Sequence, residues 1–340
     1  MKYVSDSIKL AYLEHIRHKA LLLFLLSIGV LIVALYALTK GSYQMNLQDF
    51  FLALTGNLEG PKGIVIANIR LPRIVSAIIC GWGLSLSGLC IQSLLKNPLG
   101  SPSTLGISQG AAFGAALSIV IFGAEVFSVS FFAFSGAMAA TLTILVLARL
   151  KSLSPEAIIL AGVALSSLFA SATLLIQYLA TETELAMVVF WTFGDVARSN
   201  WQEIFLMTGT ILLVSCYIIS LKWELNAMSY GEETAKGLGV RVQRIRIIGM
   251  ILSTLVAALA TAFHGVIAFI GLIAPHIARR LVGENHGFLI PCSLLIGALL
   301  LLTADTLGRI IIGSGALPVG VLTSFLGAPM FLYLLVRGYK

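Results

Sequence analysis

The chain has 340 residues, of which 58% are hydrophobic and 11% charged, with a mean hydropathy of +0.98 and a formal net charge of +7. That composition has too few polar residues to cover a soluble domain, and it indicates a helical protein that crosses a bilayer many times. The basic excess does not indicate nucleic acid, because the Lys and Arg residues fall between apolar runs, where they set orientation.

The first segment, 1–19, is polar, and no small-residue cleavage site follows the apolar run after it, so Leu21 to Leu38 is expected to stay as a first span. Stretches free of Asp, Glu, Lys and Arg follow at 74–95, 97–124, 126–148, 157–181, 204–221, 247–278, 287–304 and 310–336. Most match the roughly 20 residues needed to cross the hydrocarbon core. The run 247–278 is too long for one comfortable span and short for two, and Gly265, Gly271 and Pro275 interrupt it. The distribution of basic residues decides between the two. With two short spans there, ten in all, a cytoplasmic N-terminus places sixteen of the 22 Lys and Arg residues inside; with one span the figure falls to thirteen. Ten spans with both termini inside is the expectation, as a single membrane-spanning domain over 1–340 with a cytoplasmic loop at about 222–246.

Two outer connections, 41–70 and 181–202, have room for a short helix. In the second, Glu184 to Phe193 reads as an amphipathic piece near the outer surface, either a capped loop or a lid over a central pathway. The second span carries small-xxx-small faces (Gly81, Ser85, Leu89; Gly83, Ser87, Gly88) that let helices approach closely. Cys80, Cys90, Cys216 and Cys292 lie inside apolar runs at unrelated spacings. They are expected as buried packing residues, with no disulfide framework and no metal site.

The longest polar break runs from Lys222 to Arg246. Ser229 with Glu232 three residues on reads as a capping box opening a short helix, stopped by Gly237 or Gly239. Ala235 and Leu238 would share one side of it, with Glu232, Glu233 and Lys236 around them. The segment suits the docking of a soluble partner, or is a solvated loop.

No GxxxxGK[ST], GxSxG or HExxH occurs, so the chain has no P-loop of its own. Ionisable groups at membrane depth are His264, His276, Asp305 and Arg309. Asp305 and Arg309, four apart, can pair. A pathway or structural role suits such groups better than catalysis. Arg70 and Arg73 at the mouth of the second span, with Arg309, are either snorkelling side chains or sockets for carboxylates of an external partner.

Arg70-Leu-Pro-Arg73, Gly88, Gln92, Asn97-Pro-Leu-Gly-Ser-Pro102 and Leu105-Gly-Ile-Ser108 form one block of motifs. Gly265 to Arg279, Ala304-Asp305, Arg309, Leu317-Pro-Val-Gly320 and Gly327-Ala-Pro329 form another. Together, over nearly the whole chain, they resemble the FecCD-type permeases of ABC importers for iron–siderophores, haem and cobalamin. The resemblance implies an all-α, ten-helix subunit of type II importer architecture in a bacterial or archaeal cytoplasmic membrane. Its partners would be a second copy or a similar permease, two cytoplasmic ATP-binding subunits that hold the ATP and Mg, and an external substrate-binding protein. No cofactor would bind this chain. By the same resemblance Ser229, Gly231, Glu232, Glu233, Thr234, Ala235, Lys236, Leu238 and Gly239 couple to the ATPase, Arg70, Arg73 and Arg309 receive the binding protein, and the fifth and tenth spans with the helix after the fifth line the pathway. Where relatives carry hydroxyl residues as a cytoplasmic gate, this chain has Ser154-Pro155-Glu156. A proton-coupled transporter using Asp305 and the membrane histidines is the alternative, and an intramembrane enzyme built on His276 and Asp305 a more distant one. Metal chelates, or an oxyanion, are the candidate cargoes.

Overall fold

The computed structural model describes residues 2–41, 46, 52, 60–198, 200–311 and 317–336, and among these the chain is helical with turns and no strand. Helix α1 (Lys2–Thr39) is much longer than its apolar half. A short α2 (Pro61–Val65) continues through a π turn (Ile66–Arg70) into α3 (Leu71–Leu95), so the second span starts before its apolar run does. There follow α4 (Ile107–Leu117), prolonged by a π turn to Phe122, then α5 (Val126–Arg149), α6 (Pro155–Leu179), α7 (Glu182–Thr192) and α8 (Trp201–Ser220). The chain ends with α9 (Lys222–Ser229), α10 (Glu232–Gly237), α11 (Val242–His264), α12 (Ile270–Val282), α13 (His286–Ile311) and α14 (Val319–Val336). Seven helices among the described residues are long and apolar enough to cross a membrane, and α4 with its π turn and α14 are shorter apolar helices.

Helix α3 is the axis of the bundle. It packs on α8, α11, α12 and α13, and most of its residues are buried. Small residues bring this about. A Cβ on Gly81 would lie 2.4 Å from the carbonyl oxygen of Gly297 on α13, and one on Gly88 would lie 1.7 Å from that of Gly271 on α12. No larger side chain fits either crossing. The long apolar run does divide. Gly265, at φ +74°, ends α11, and α12 restarts at Ile270 after Phe269 in the left-handed region. Gly271 and Pro275, expected as interruptions, lie within α12.

The 96–106 connection explains the Asn-Pro-Leu-Gly-Ser-Pro motif. Lys96 leaves α3 in the left-handed region (φ 48°), and Asn97 Oδ1 accepts the N–H of Leu99 at 2.9 Å. Ser101 and Thr104 cap each other's backbone, with Ser101 N–H to Thr104 Oγ1 at 2.9 Å and Thr104 N–H to Ser101 Oγ at 3.2 Å.

Two expectations are corrected here. Helix α7 exists, opened by a true capping box between Thr181 and Glu184, but it is not amphipathic: only Val188 is buried. Cys80, Cys90 and Cys292 are buried, whereas Cys216 is exposed on α8.

Candidate functional site

Polar side chains gather at the two ends of α3. At its start Asp305, on α13 and fully buried, lies between two guanidinium groups. Arg73 Nε donates to Asp305 Oδ1 at 2.8 Å, and Arg309 Nε lies 3.2 Å from Oδ2, so the four-residue spacing of Asp305 and Arg309 does form a pair. Arg309 Nη1 also donates to the carbonyls of Ala37 (3.1 Å) and Lys40 (3.3 Å), and Arg70 Nη1 donates to that of Leu38. Two arginines therefore close the carbonyl end of α1, where helix geometry leaves acceptors without donors and concentrates negative partial charge. All three arginines are largely buried rather than extended into solvent (5% exposed for Arg70, 9% for Arg309). Asp195, which sequence inspection did not single out, lies 3.7 Å from Arg73 Nη2. Nothing local in the sequence marks it beyond the preceding glycine.

Asp195 sits in the turn between α7 and α8, and that turn is fixed from several sides. Its N–H donates to the carbonyl of His264 (2.7 Å), and the N–H of Gly320 donates to Gly194 (3.1 Å). Backbone meets backbone there: a Cβ on Gly194 would lie 2.3 Å from Val266 O, and one on Gly320 2.3 Å from Phe193 O. His264 Nε2 in turn shares a 2.5 Å hydrogen bond with Ser76 of α3. Beside this junction is an apolar cavity of about 560 Å³ bounded by Phe193, Val266, Ser324, Phe325 and Pro329 among others.

At the far end of α3 the centre is Arg246, 1% exposed. Its Nη2 meets Glu232 Oε2 of α10 at 3.0 Å, its Nη1 donates to the carbonyl of Leu153 at 2.8 Å, and its Nε donates to that of Leu94 at 3.3 Å. One side chain thus joins the short polar helix, the end of α3 and the turn before α6. The hydrogen bond from Arg246 is the main reason the Glu232 carboxyl is held below its ordinary range. Lys236, raised chiefly by its hydrogen bond to Glu233, completes a surface cluster with both glutamates. Sequence inspection placed Arg246 only as a border of the polar segment. Its signal was that it follows Val242 and Ile245 on the buried face of α11.

The local reading of this segment is corrected. Ser229 is the last residue of α9, and its hydroxyl donates back to Leu225 O, so no capping box joins it to Glu232. Gly231 (φ +124°) opens α10 instead, and Gly239 (φ +85°) follows its end. Ala235 is fully buried while Leu238 is 70% exposed, so these two do not share a face. Thr234 lies in α10, its hydroxyl donating to Tyr230 O at 3.5 Å. Ser154 caps α6 by accepting the N–H of Ala157 at 3.2 Å, Pro155 occupies the first helical turn, and Glu156 is an acid in that turn, where the helix dipole favours it.

His276 borders a cavity of about 410 Å³ with Lys96, Ser229 and Arg279, at the opposite end of α3 from Asp305. The structure therefore does not bring His276 and Asp305 together as a catalytic pair, whereas His264 lies near the Asp305 end through Ser76 and the Asp195 turn. Among the described residues no group of three His, Cys, Asp or Glu is placed to hold a metal ion.

The described residues thus form an apolar helical bundle with one buried polar hub at each end. The profile of the FecCD transport family matches residues 29–337. The chain is 47% identical to the ABC transporter permease protein MJ0087 of Methanocaldococcus jannaschii, over 97% of this chain and 98% of that one. It is 37% identical to the Fe(3+)-citrate import system permease YfmE of Bacillus subtilis, over 94% and 96%. A solved structure of a metal-chelate type ABC transporter in an inward-facing conformation superimposes with a TM-score of 0.82 at 33% identity, covering 94% of this chain and all of that one. The chain belongs to the FecCD transport family, and with it to the permease subunits of ATP-binding-cassette importers.

Proposed function

We propose that this permease carries a metal chelate, with ferric complexes first among the cargoes, and that it works as a ten-crossing subunit with both termini cytoplasmic. The Fe(3+)-citrate import of the YfmE relative and the metal-chelate type of the solved structure support the cargo class. The bias of basic residues supports the orientation. In that orientation α10 and Arg246 face the cytoplasm and the Arg73–Asp305 cluster faces outward. One of two ATP-binding subunits seats on the segment from Ser229 to Gly239, the other on the same segment of a second permease that pairs with this one, and an external binding protein delivers cargo to the Arg70, Arg73 and Arg309 end. Three arginines against Asp305 and Asp195 leave a net positive charge there, which suits a carboxylate-bearing partner.

The observation that carries the mechanism is the triple engagement of Arg246. Movement of α10 by an ATPase subunit is transmitted through Glu232 and Arg246 to Leu153, one residue before the Ser154-Pro155-Glu156 gate segment, and to the end of α3. ATP is bound and hydrolysed on the partner subunits, and this chain makes and breaks no covalent bond. The proton-driven alternative is disfavoured by Asp305, whose two oxygens are held by separate arginines.

The test is reconstitution in liposomes with the cognate ATPase and binding protein, measuring ATP-dependent uptake of ferric citrate, haem and molybdate. Uptake of a ferric chelate or haem, lost with Arg246→Ala while ATP hydrolysis continues, is the expected result. Uptake driven by a pH gradient without ATP would overturn the importer reading, and uptake of molybdate alone would overturn the cargo class.

A further inference from the structure

The outer cluster contains a carboxylate that stabilises neither the buried Asp305 nor the α1 terminus. Asp195 is 31% exposed at its side chain and stands 3.7 Å from Arg73 Nη2, an atom buried from solvent that makes no well-directed hydrogen bond although it lies 2.8 Å from Asp305 Oδ1. That guanidinium edge is pulled by two acids, and the exposed one is the weaker partner, since its distance is longer and solvent screens it. The same aspartate fixes its own turn, because its Oδ1 accepts the N–H of Ala197 at 2.9 Å while its main chain is bonded to His264. Through Gly194 the turn is also bonded to the first residues of α14, and Phe193, Val266 and Gly320 all border the apolar cavity beneath.

We propose that Asp195 is an affinity-determining residue for docking: it competes with the carboxylate of the external partner for Arg73, and its displacement loosens the turn that closes the outer side of the apolar cavity. This rests on the reading above that Arg73 receives such a carboxylate. An incoming Asp or Glu side chain would reach the buried Arg73 edge only as Asp195, which holds it weakly, moves aside. Asp195 would then lose its attraction to Arg73, one of the contacts that hold its turn, together with the buried Val196 and the bond to the His264 carbonyl. Docking and opening become one exchange of ion pairs, and part of the docking energy is spent on displacing the internal acid.

The experiment uses the complete transporter in lipid nanodiscs and its cognate binding protein, with dissociation constants measured for wild type, Asp195→Asn, Asp195→Glu and Arg73→Gln. Asp195→Asn should tighten docking by about fivefold, the scale of one exposed ion pair, and Asp195→Glu should behave as wild type. Should Asp195→Asn fail to assemble, Asp195→Ser makes the same comparison. In a Cys216→Ser background carrying Ser324→Cys, Asp195→Asn should also raise the rate of maleimide labelling from the outer side before any binding protein is added. Unchanged or weakened docking in Asp195→Asn, with Arg73→Gln still impaired, would overturn the competition. Normal docking in Arg73→Gln would instead remove the reading on which it rests.

Discussion

Asp305 shows what burial demands of a charged side chain. A carboxylate without solvent exposure is tolerable only with cations in place, and Arg73 and Arg309 supply them. Asp305→Asn keeps the shape and removes the charge, leaving two buried guanidinium groups without their counter-ion. A loss of roughly 3–5 kcal/mol of stability is expected, read from denaturant or thermal unfolding in detergent. Glu232 poses the complementary case at the other hub. Its carboxyl is depressed in the folded protein, so its contribution is fully present above the ordinary glutamate value of about 4.5 and is lost as pH falls from there through the lower folded value. Stability measured between pH 6 and pH 3, in wild type against Glu232→Gln, should differ near neutrality and converge toward the acid limit. Glu233, with its side chain 92% exposed and paired with Lys236, should lose little stability at neutral pH as Glu233→Gln.

Among the elements, α3 is decided by the absence of side chains. At Gly88 the neighbouring backbone stands where a methyl group would be, while Gly209 on α8 has nothing within 4 Å of a Cβ position. Gly88→Ala should therefore fail to yield a folded, monodisperse protein, and Gly209→Ala should fold as wild type or slightly better through helix propensity; size-exclusion profiles and melting curves compare the two. This packing was legible beforehand, because small residues recurring every four positions on an apolar run have few other uses. The break at Gly265 was legible too, from a run too long for one crossing. The α9–α10 corner was not. A Ser-x-x-Glu pattern names a capping box, yet Leu225 and Met228 are buried in the bundle, and the helix they hold runs on through Ser229. Tertiary packing overrode a local signal. Asp195 and Arg246 were missed for a related reason, since their partners lie far away in the chain and no spacing records them.

For the whole molecule, charge placement and helix order make a prediction about sidedness. Glu125, in the exposed turn before α5, and Lys236, on α10, fall on opposite faces if the chain crosses as ten spans. With Cys216→Ser as background, Glu125→Cys should react with a membrane-impermeant maleimide in intact cells and Lys236→Cys only after the membrane is opened. Reaction of both from the outside would reject the ten-span topology. The large apolar residues exposed along α6, among them Leu160, Leu168, Leu175 and Leu179, belong to the same scale, because they find their neighbours only in lipid or in another subunit.

The meeting of α3 with α12 carries a consequence for how this protein varies. Pro275 has no N–H, so the carbonyl of Gly271 four residues earlier loses its helical donor, and Gln92 Nε2 stands 3.4 Å from that oxygen and 3.3 Å from that of Leu272. The glutamine supplies from another helix what the proline withholds. Gln92 and Pro275 should therefore drift together under mutation. A chain that regains an ordinary residue at 275 needs the amide at 92 only as acceptor for Arg279, and one that loses the amide alone inherits a stranded carbonyl between two packed helices.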